Sequence, residues 1–333
     1  METEFPTNFT VRPAEKADLP GILALLNADQ LDQVGEGNEV RSTWQLADVL
    51  DNLAANTRLV FAPDGELVAC GLFQASAPYV RLNCATAVAP AYQGQGIGTM
   101  LARWAEARAR ECIPQAPAGA RVALLQEPLS TNVKARELLL GQGYEWTRSF
   151  SRMVVEMDGP PPAPVVPDGL TIRTFQHNKK EVRALVEALR DIFSDHWGHV
   201  DSPIEPSLKW WPHIIENDPD VDPSLWFLAV AGDEIAGVAL SCPKLLEDPD
   251  MGYIWLLGVR RPWRRRGLGL ALLQQAFGAF YARGQHKVSL SVDAQSLTKA
   301  VQLYERGGMH PMRQYDYYEK ELRTGEDLSL RTL

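Results

Sequence analysis

With 333 residues, 45% hydrophobic and 23% charged, the chain carries enough apolar side chains for one large or two ordinary packed domains, which argues against disorder. A formal net charge of −9 disfavours a general nucleic-acid binder, whose affinity comes from surplus cations neutralising phosphates. The cysteines Cys70, Cys84, Cys112 and Cys242 lie far apart with no C-x-x-C spacing, so neither a disulfide framework nor a zinc cluster is expected.

The N-terminal stretch METEFPTNFTVRP is acidic and lacks the apolar core of a signal peptide. No later run is apolar for the length of a bilayer span, so the expectation is a cytoplasmic protein with no membrane partner. From residue 10 the chain passes through short motifs that return, in the same order, after its midpoint. TVRPA at 10 is echoed by TIRTF at 171, GELVACGL at 65 by DEIAGVAL at 233, and QGQGIG at 93 by RRRGLG at 264. RELLLGQGY at 136 is echoed by VQLYERGGM at 301, and RSFSRMVVEM at 148 by RQYDYYEKEL at 313. Ordered pairs offset by 161 to 171 residues indicate two copies of one domain, since a solenoid would repeat at a far shorter period. Between the copies, DGPPPAPVVPDG is too rich in proline for helix or central strand and reads as an extended connector. The expected division is an N-terminal domain over 1–157, a linker over 158–169, a C-terminal domain over 170–323 and a tail over 324–333.

In the second copy, LTIRTF alternates as a strand, and KKEVRALVEALRDIF places Val182, Leu185, Val186, Leu189 and Ile192 at helical spacing. SLWFLAVAGDEIAGVALSC predicts two strands about a turn at Gly232-Asp233, and GYIWLLGV a further strand. GLGLALLQQAFGAFYARG predicts a helix ending at Gly284, followed by strand KVSLSV, helix SLTKAVQLYERGG and strand RQYDYYEKEL. The fold class is α/β with a mixed sheet (α+β in character): mainly antiparallel strands first, then a β-α-β-α-β run.

The junction between the strand at 253–259 and the helix from about Gly267 is the most informative. Its spacing is Arg264-x-x-Gly267-x-Gly269, matched in the first copy by Gln93-x-x-Gly96-x-Gly98. Glycines at a helix start leave N–H groups unpaired and let a phosphate approach them. Taken alone, this pattern equally describes two glycines easing a tight turn.

In context the sequence resembles the GNAT superfamily of acyl-CoA-dependent N-acyltransferases. That family has a Q/R-x-x-G-x-G/A loop followed, after the next strand, by a helix of pattern A-x-x-L-Y-E-x-x-G-F. The second copy matches at Arg264, Gly267, Gly269, Ala300, Leu303, Tyr304, Glu305 and Gly308, with Met309 where phenylalanine is usual. The first matches at Gln93, Gly96, Gly98, Asn132, Ala135, Leu138, Gly143 and Tyr144. The resemblance implies two tandem GNAT-like domains, a layout similar to that of mycothiol synthase, with acetyl-CoA as cofactor. It implies that Arg264, Arg265, Arg266, Gly267, Leu268, Gly269 and Leu270 hold the pyrophosphate. Leu257, Gly258 and Val259 would bind the pantetheine arm and thioester carbonyl. Gln93, Gly94, Gln95, Gly96, Ile97 and Gly98 form the corresponding loop of the first copy. Tyr304 would protonate the leaving thiolate, a task suited to a neutral phenol. Aligning Gly143 with Gly308 sets Leu139 opposite Tyr304, so the first copy lacks that donor and activity is expected in the second.

The string FSDHWGHV offers Asp195, His196 and His199 as candidate general bases, or equally as a polar helix end with Trp197 packed inward. Two histidines without a third ligand do not make a metal site, and none is expected. KWWPHIIENDP supplies tryptophans read as core, and Glu205 and Glu247 are spare carboxylates on expected loops. The expected function is transfer of an acetyl group to a primary amine of a small molecule or peptide by direct attack. The partner is thus a small-molecule amine, with no nucleic acid, and the chain is monomeric or homodimeric. Two rivals stay open: a catalytically silent CoA-binding scaffold, and a nucleic-acid-associated module using the arginines of RRPWRRRGLG. In the first reading Arg260 and Arg261, ahead of Pro262, are simply solvated.

Overall fold

The computed structural model describes residues 8–34, 52–218, 221–244, 250–296 and 300–329. Glu247, and residues 297–299 at the start of the expected SLTKAVQLYERGG helix, lie outside the described residues. Among the described residues no helix is long and apolar enough to cross a membrane. The chain forms two compact units, one made of Met1–Ser149 and Gln314–Leu328, the other of Phe150–Arg313 and Ser329–Leu333.

In the first unit, strands β1 (Thr10–Arg12), β2 (Thr57–Phe61), β3 (Leu67–Ala75) and β4 (Arg81–Val88) pair antiparallel in sequence order. β5 (Val122–Gln126) lies parallel to β4, reached through a crossover helix. The helices are α1 (Leu19–Val34), the single turn α2 (Leu53–Asn56), the crossover α3 (Ile97–Cys112) and α4 (Val133–Gly141). Along α3 the buried residues Ile97, Met100, Leu101, Trp104, Ala105, Ala109 and Cys112 recur at three- and four-residue intervals. That stripe puts one face of the helix on the sheet.

The second unit repeats the plan. β7 (Thr171–Thr174), β8 (Trp226–Ala231), β9 (Glu234–Cys242) and β10 (Met251–Val259) pair antiparallel in order, and β11 (Lys287–Asp293) lies parallel to β10. Its helices are α5 (Lys179–Phe193), α6 (Glu205–Asn217), α7 (Leu268–Ala282) and α8 (Ala300–Arg306). Asn178 caps α5 by accepting from the Glu181 N–H at 3.0 Å, and Val182, Leu185, Val186, Leu189 and Ile192 are its buried stripe. Leu268, Leu272, Leu273, Phe277 and Phe280 of α7 are buried at 2% exposure or less, each contributing about 1.5–3 kcal/mol. Trp211 of α6 is likewise core, with ring centroids 5.4 Å from Trp226 and 5.2 Å from Trp255.

The final strands do not follow the linker boundary. β12 (His310–Arg323) pairs antiparallel with β5 through Tyr318–Arg323, closing the first unit's sheet. β6 (Glu145–Glu156) pairs antiparallel with β11 through Phe150–Glu156, closing the second. Each unit therefore takes its last strand from the other half of the sequence. The expected boundaries at 157 and 170 follow the proline-rich connector, whereas the compact units divide at 149/150 and 313/314. Strand pairing decides membership, and an unbroken run of alternating residues carries no mark of such a transfer.

Candidate active site

The site is built where β10 leaves its neighbour. Parallel pairing of β10 with β11 stops at Tyr253↔Ser289, although β10 continues to Val259 and β11 to Asp293. On its other side β10 stays paired with β9 as far as Val259, with a register shift between Ile254 and Leu256 that marks a bulge at Trp255. A bulge bends and twists its strand. Burial falls in step: Met251–Ile254 are buried, whereas residues 255–259 are only partly so. The edge of β10 beyond Tyr253 thus presents backbone groups with no strand partner.

Past Val259 the chain makes a short turn at Arg261–Trp263, and then Arg265 and Gly267 take positive φ of +62° and +89°. Gly267 caps α7 without any side-chain hydrogen bond, and none of the N–H groups from Arg265 to Leu270 finds an acceptor among the described residues. Unpaired donors at the positive end of a helix form a cradle for an anion such as a pyrophosphate. A Cβ on Gly267 would meet open space, so its conformation is what calls for glycine there. A Cβ on Gly269 would come within 3.1 Å of Leu303 Cδ1, so that glycine lets α7 and α8 approach closely. The first unit repeats these features. Gly94 and Gly96 have φ of +78° and +85°, the N–H groups of residues 94–99 are unpaired among the described residues, and a Cβ on Gly98 would lie 3.0 Å from Leu138 Cδ1.

The arginine cluster is mostly committed to the protein. Arg260 pairs with Asp191 at 2.5 Å and Glu234 at 2.6 Å, and Arg261 reaches Asp195 Oδ2 at 3.1 Å, so neither is merely solvated. Arg264 donates from Nε to the Val259 carbonyl at 2.8 Å and from Nη2 to the Ile192 carbonyl at 3.1 Å. Its two Nη atoms also engage both oxygens of Asp195. Arg264 therefore braces the loop against β10 and α5. Arg266 reaches the Asp168 carbonyl at 3.2 Å, and exposed Arg265 has no side-chain partner among the described residues.

A cavity in the second unit opens onto this edge. Tyr304, His196, Leu257, Asp293 and the rings of Phe150, Trp197 and Trp255 are among its lining residues. Tyr304 is 6% exposed, and its hydroxyl has no hydrogen-bond partner among the described residues. Burial pushes its phenol well above the ordinary range, with a small addition from Tyr253. Burial likewise lowers the His196 imidazole below its usual value and so favours the neutral form. The Asp195 charge opposes that shift, Arg264 reinforces it, and Asp293 opposes it weakly.

Of the candidate bases, Asp195 and His196 both line the cavity with Tyr304. His199 instead pairs with Asp201 at 3.2 Å and is not among the lining residues. Asp195 is 2% exposed, and both of its oxygens accept from arginines. Burial would raise its carboxyl, but Arg264 and then Arg261 outweigh that and hold it below the usual range, which makes it a poor base. Glu205 lies at the exposed start of α6, away from the lining. Phe150 was invisible in the sequence because it arrives on the transferred strand β6. Asp293 ends β11, one residue past the expected KVSLSV strand, where only a parallel-strand topology, with its C-terminal ends at the ligand, could have signalled it.

The first unit departs from this arrangement at the corresponding wedge. β4 and β5 also part early, after Asn83↔Leu125, but the pairing of β4 with β3 runs without any bulge. Thr86 Oγ1 on β4 and Gln126 Oε1 on β5 lie 3.5 Å apart across the gap, and Gln126 Nε2 donates to the buried Tyr144 hydroxyl at 3.1 Å.

The sequence matches the Acetyltransferase (GNAT) family model twice, over residues 23–144 and 182–309. A mycothiol acetyltransferase from Salinispora arenicola is 27% identical over 319 residues, covering 92% of this chain and 96% of that protein. One from Thermobispora bispora is 30% identical over 177 residues, and there the match spans 52% of this chain and 58% of that protein. The crystal structure of a GCN5-related N-acetyltransferase from Sphaerobacter thermophilus is 36% identical and superposes with a TM-score of 0.80, covering 97% of this chain and 99% of that one. With a nucleotide-type anion cradle and a splayed strand in each unit and two family matches in register with them, the chain belongs to the GNAT family of acetyltransferases and is an acyltransferase carrying that domain in tandem.

Proposed function

We propose that the second unit transfers an acetyl group from acetyl-CoA to a primary amine by direct attack, with Tyr304 and His196 as its proton-handling groups. One observation carries this reading: Tyr304 and His196 line the same cavity as Leu257, on the open edge of the strand that leads into the loop at Gly267. Acetyl-CoA fits the donors present. The N–H groups of Arg265 to Leu270 would hold its pyrophosphate, with Arg265 and Arg266 supplying charge. The edge of β10 at Leu257, Gly258 and Val259, which β11 leaves uncovered, would bind the pantetheine amides and polarise the thioester carbonyl, where negative charge grows as the amine attacks; the Val259 carbonyl itself is already held by Arg264.

The acceptor arrives as an ammonium and must lose a proton before attacking. A neutral His196 can take it. Burial keeps Tyr304 a neutral phenol and raises the proton affinity of a thiolate beside it as well, so the phenol can protonate the departing sulfur and recover its proton from the second N–H lost by the attacking amine. The first unit keeps the loop but has Leu139 and a bridged wedge in place of these groups, and it is read as a CoA-shaped domain without turnover. The names of the relatives put the amine precursors of thiol cofactors at the head of the acceptors to try. Incubating the full chain with acetyl-CoA and a panel of such amines, amino sugars, polyamines and peptides should give amine-dependent thiol release and a product heavier by one acetyl group. Thiol release that no amine stimulates would sink the proposal.

A further inference from the structure

We infer that Asp195 is a positioning residue that ties the phosphate-binding loop to the acceptor side of the cavity, so that the arginine shaping the loop also sets His196 in place. The inference rests on the reading of His196 as the base and adds how that base is held. Asp195 follows the end of α5, and Arg264 lies in the loop before α7. Arg264 grips both oxygens of Asp195, Nη2 at 3.1 Å from Oδ1, while it holds the Val259 carbonyl at 2.8 Å and the Ile192 carbonyl at 3.1 Å. One guanidinium thus joins the end of the open strand, the last turn of α5 and the segment that follows it. Arg261 adds a second contact to Asp195 Oδ2 at 3.1 Å. His196 comes next in the chain, its Nδ1 3.4 Å from Asp195 Oδ1, an ion-pair approach without hydrogen-bond geometry, and its ring edge-on to Phe193 with centroids 4.7 Å apart. The ionic groups acting on His196 are Asp195, Arg264 and Asp293.

The first unit supplies an internal comparison. Gln93, which stands where Arg264 does, reaches the Val88 carbonyl at 3.3 Å, just as Arg264 reaches Val259. Its remaining amide oxygen accepts from Lys134 at 2.9 Å, so holding the strand carbonyl does not by itself require an arginine. The added reach of Arg264 is what makes the connection to Asp195. A fork of fixed geometry binding a carboxylate at two points orients it as well as neutralising it.

A double-mutant cycle with Asp195→Asn and Arg264→Gln in the full chain tests this, the second change installing the residue of the first unit. Each single variant should lower kcat/KM for the acceptor on the order of tenfold to a hundredfold. The Kd for acetyl-CoA should change far less, because the backbone cradle stays. The double variant should be no worse than the poorer single, since both remove one connection. Asp195→Asn should also move the acid limb of the acceptor kcat/KM profile to lower pH by about one unit, since the carboxylate that favours the imidazolium is gone. Losses that multiply in the double variant, or a loss of acetyl-CoA affinity equal to the loss in kcat/KM, would overturn the inference. Should Arg264→Gln alone fail to fold with its carboxylate stranded, the charge-balanced double variant decides by the same split between Kd and kcat/KM. His196→Gln separates the two layers: an acid limb that survives it removes His196 as the base, while the cycle still judges the connection between 195 and 264.

Discussion

The carbonyl of Leu139 accepts a hydrogen bond from the Tyr144 N–H at 3.0 Å, and the carbonyl of Tyr304 accepts the matching bond from Met309 at 3.0 Å. With Gly143 and Gly308 both at positive φ beside them, the helix ends are equivalent, so leucine truly stands where the second unit has its phenol. Tyr304→Phe should lower kcat about a hundredfold or more while leaving acetyl-CoA affinity unchanged, because Tyr304 lines the cavity and lies outside the loop at Gly267. Adding Leu139→Tyr to that variant should restore nothing. The first unit's wedge is bridged by Thr86, Gln126 and Tyr144, and its β4 lacks the bulge. Steady-state kinetics with titration calorimetry checks both, and recovered turnover would move the chemistry to the first unit.

Gly258 is required by a neighbour. A Cβ there would lie 2.2 Å from Ile192 Cγ2, on the same turn of α5 whose carbonyl holds Arg264. Gly258→Ala should cost about 1–3 kcal/mol of stability through overpacking, lowering Tm by roughly 2–10 °C. Ile192→Leu removes the β-branch that collides and should recover part of that loss. Thermal melts of the three proteins check this, and an alanine variant as stable as the parent would show that α5 has room to move.

Much of this architecture was legible because local signals agreed with the tertiary result. The stripe from Val182 to Ile192, the turn at Gly232-Asp233 and the glycines at 96, 98, 267 and 269 each carry their structural reason in the residue itself. The transfer of β6 and β12 was not legible, since an alternating strand suits either sheet and only pairing chooses between them. Among the residues that line the cavity, the motif singles out Tyr304, and His196 is only one of three candidates in its string. Burial and ion pairing separated those three, and neither is written in the spacing of Asp195, His196 and His199. The arginines misled for the same reason: five within seven positions look alike until carboxylates claim Arg260, Arg261 and Arg264.

Arg265 is the exception in that cluster, an exposed cation at the helix start with no side-chain partner among the described residues. Arg265→Ala should raise the Kd for acetyl-CoA about two- to fivefold, as suits a solvent-exposed charge contact, with an effect that shrinks as salt is added. Its Tm should not change, because no internal contact is lost. Arg260→Ala should do the reverse, since Arg260 is bound to Asp191 and Glu234. Calorimetry at two salt concentrations with parallel melts separates these outcomes, and equal effects of the two variants on Kd would refute the division of labour.

The pairing of Asp195 also sets how the second unit responds to acid. Its carboxyl in the folded protein lies below the usual range because Arg264 and Arg261 outweigh the cost of burial. A carboxylate with a depressed folded pKa contributes stability that is fully present above its unfolded pKa of about 3.9. That contribution is lost as pH falls through the lower, folded value. Asp195→Asn should therefore be less stable than the parent by about 3 kcal/mol near neutral pH, since it removes one charge from a buried pair. The deficit should hold down to about pH 4 and narrow on further acidification, as the parent protonates the same group and loses the same interaction. Urea unfolding followed between neutral pH and pH 3 measures that gap directly. A gap that stays constant across the range would mean that Asp195 contributes through shape and not through its charge.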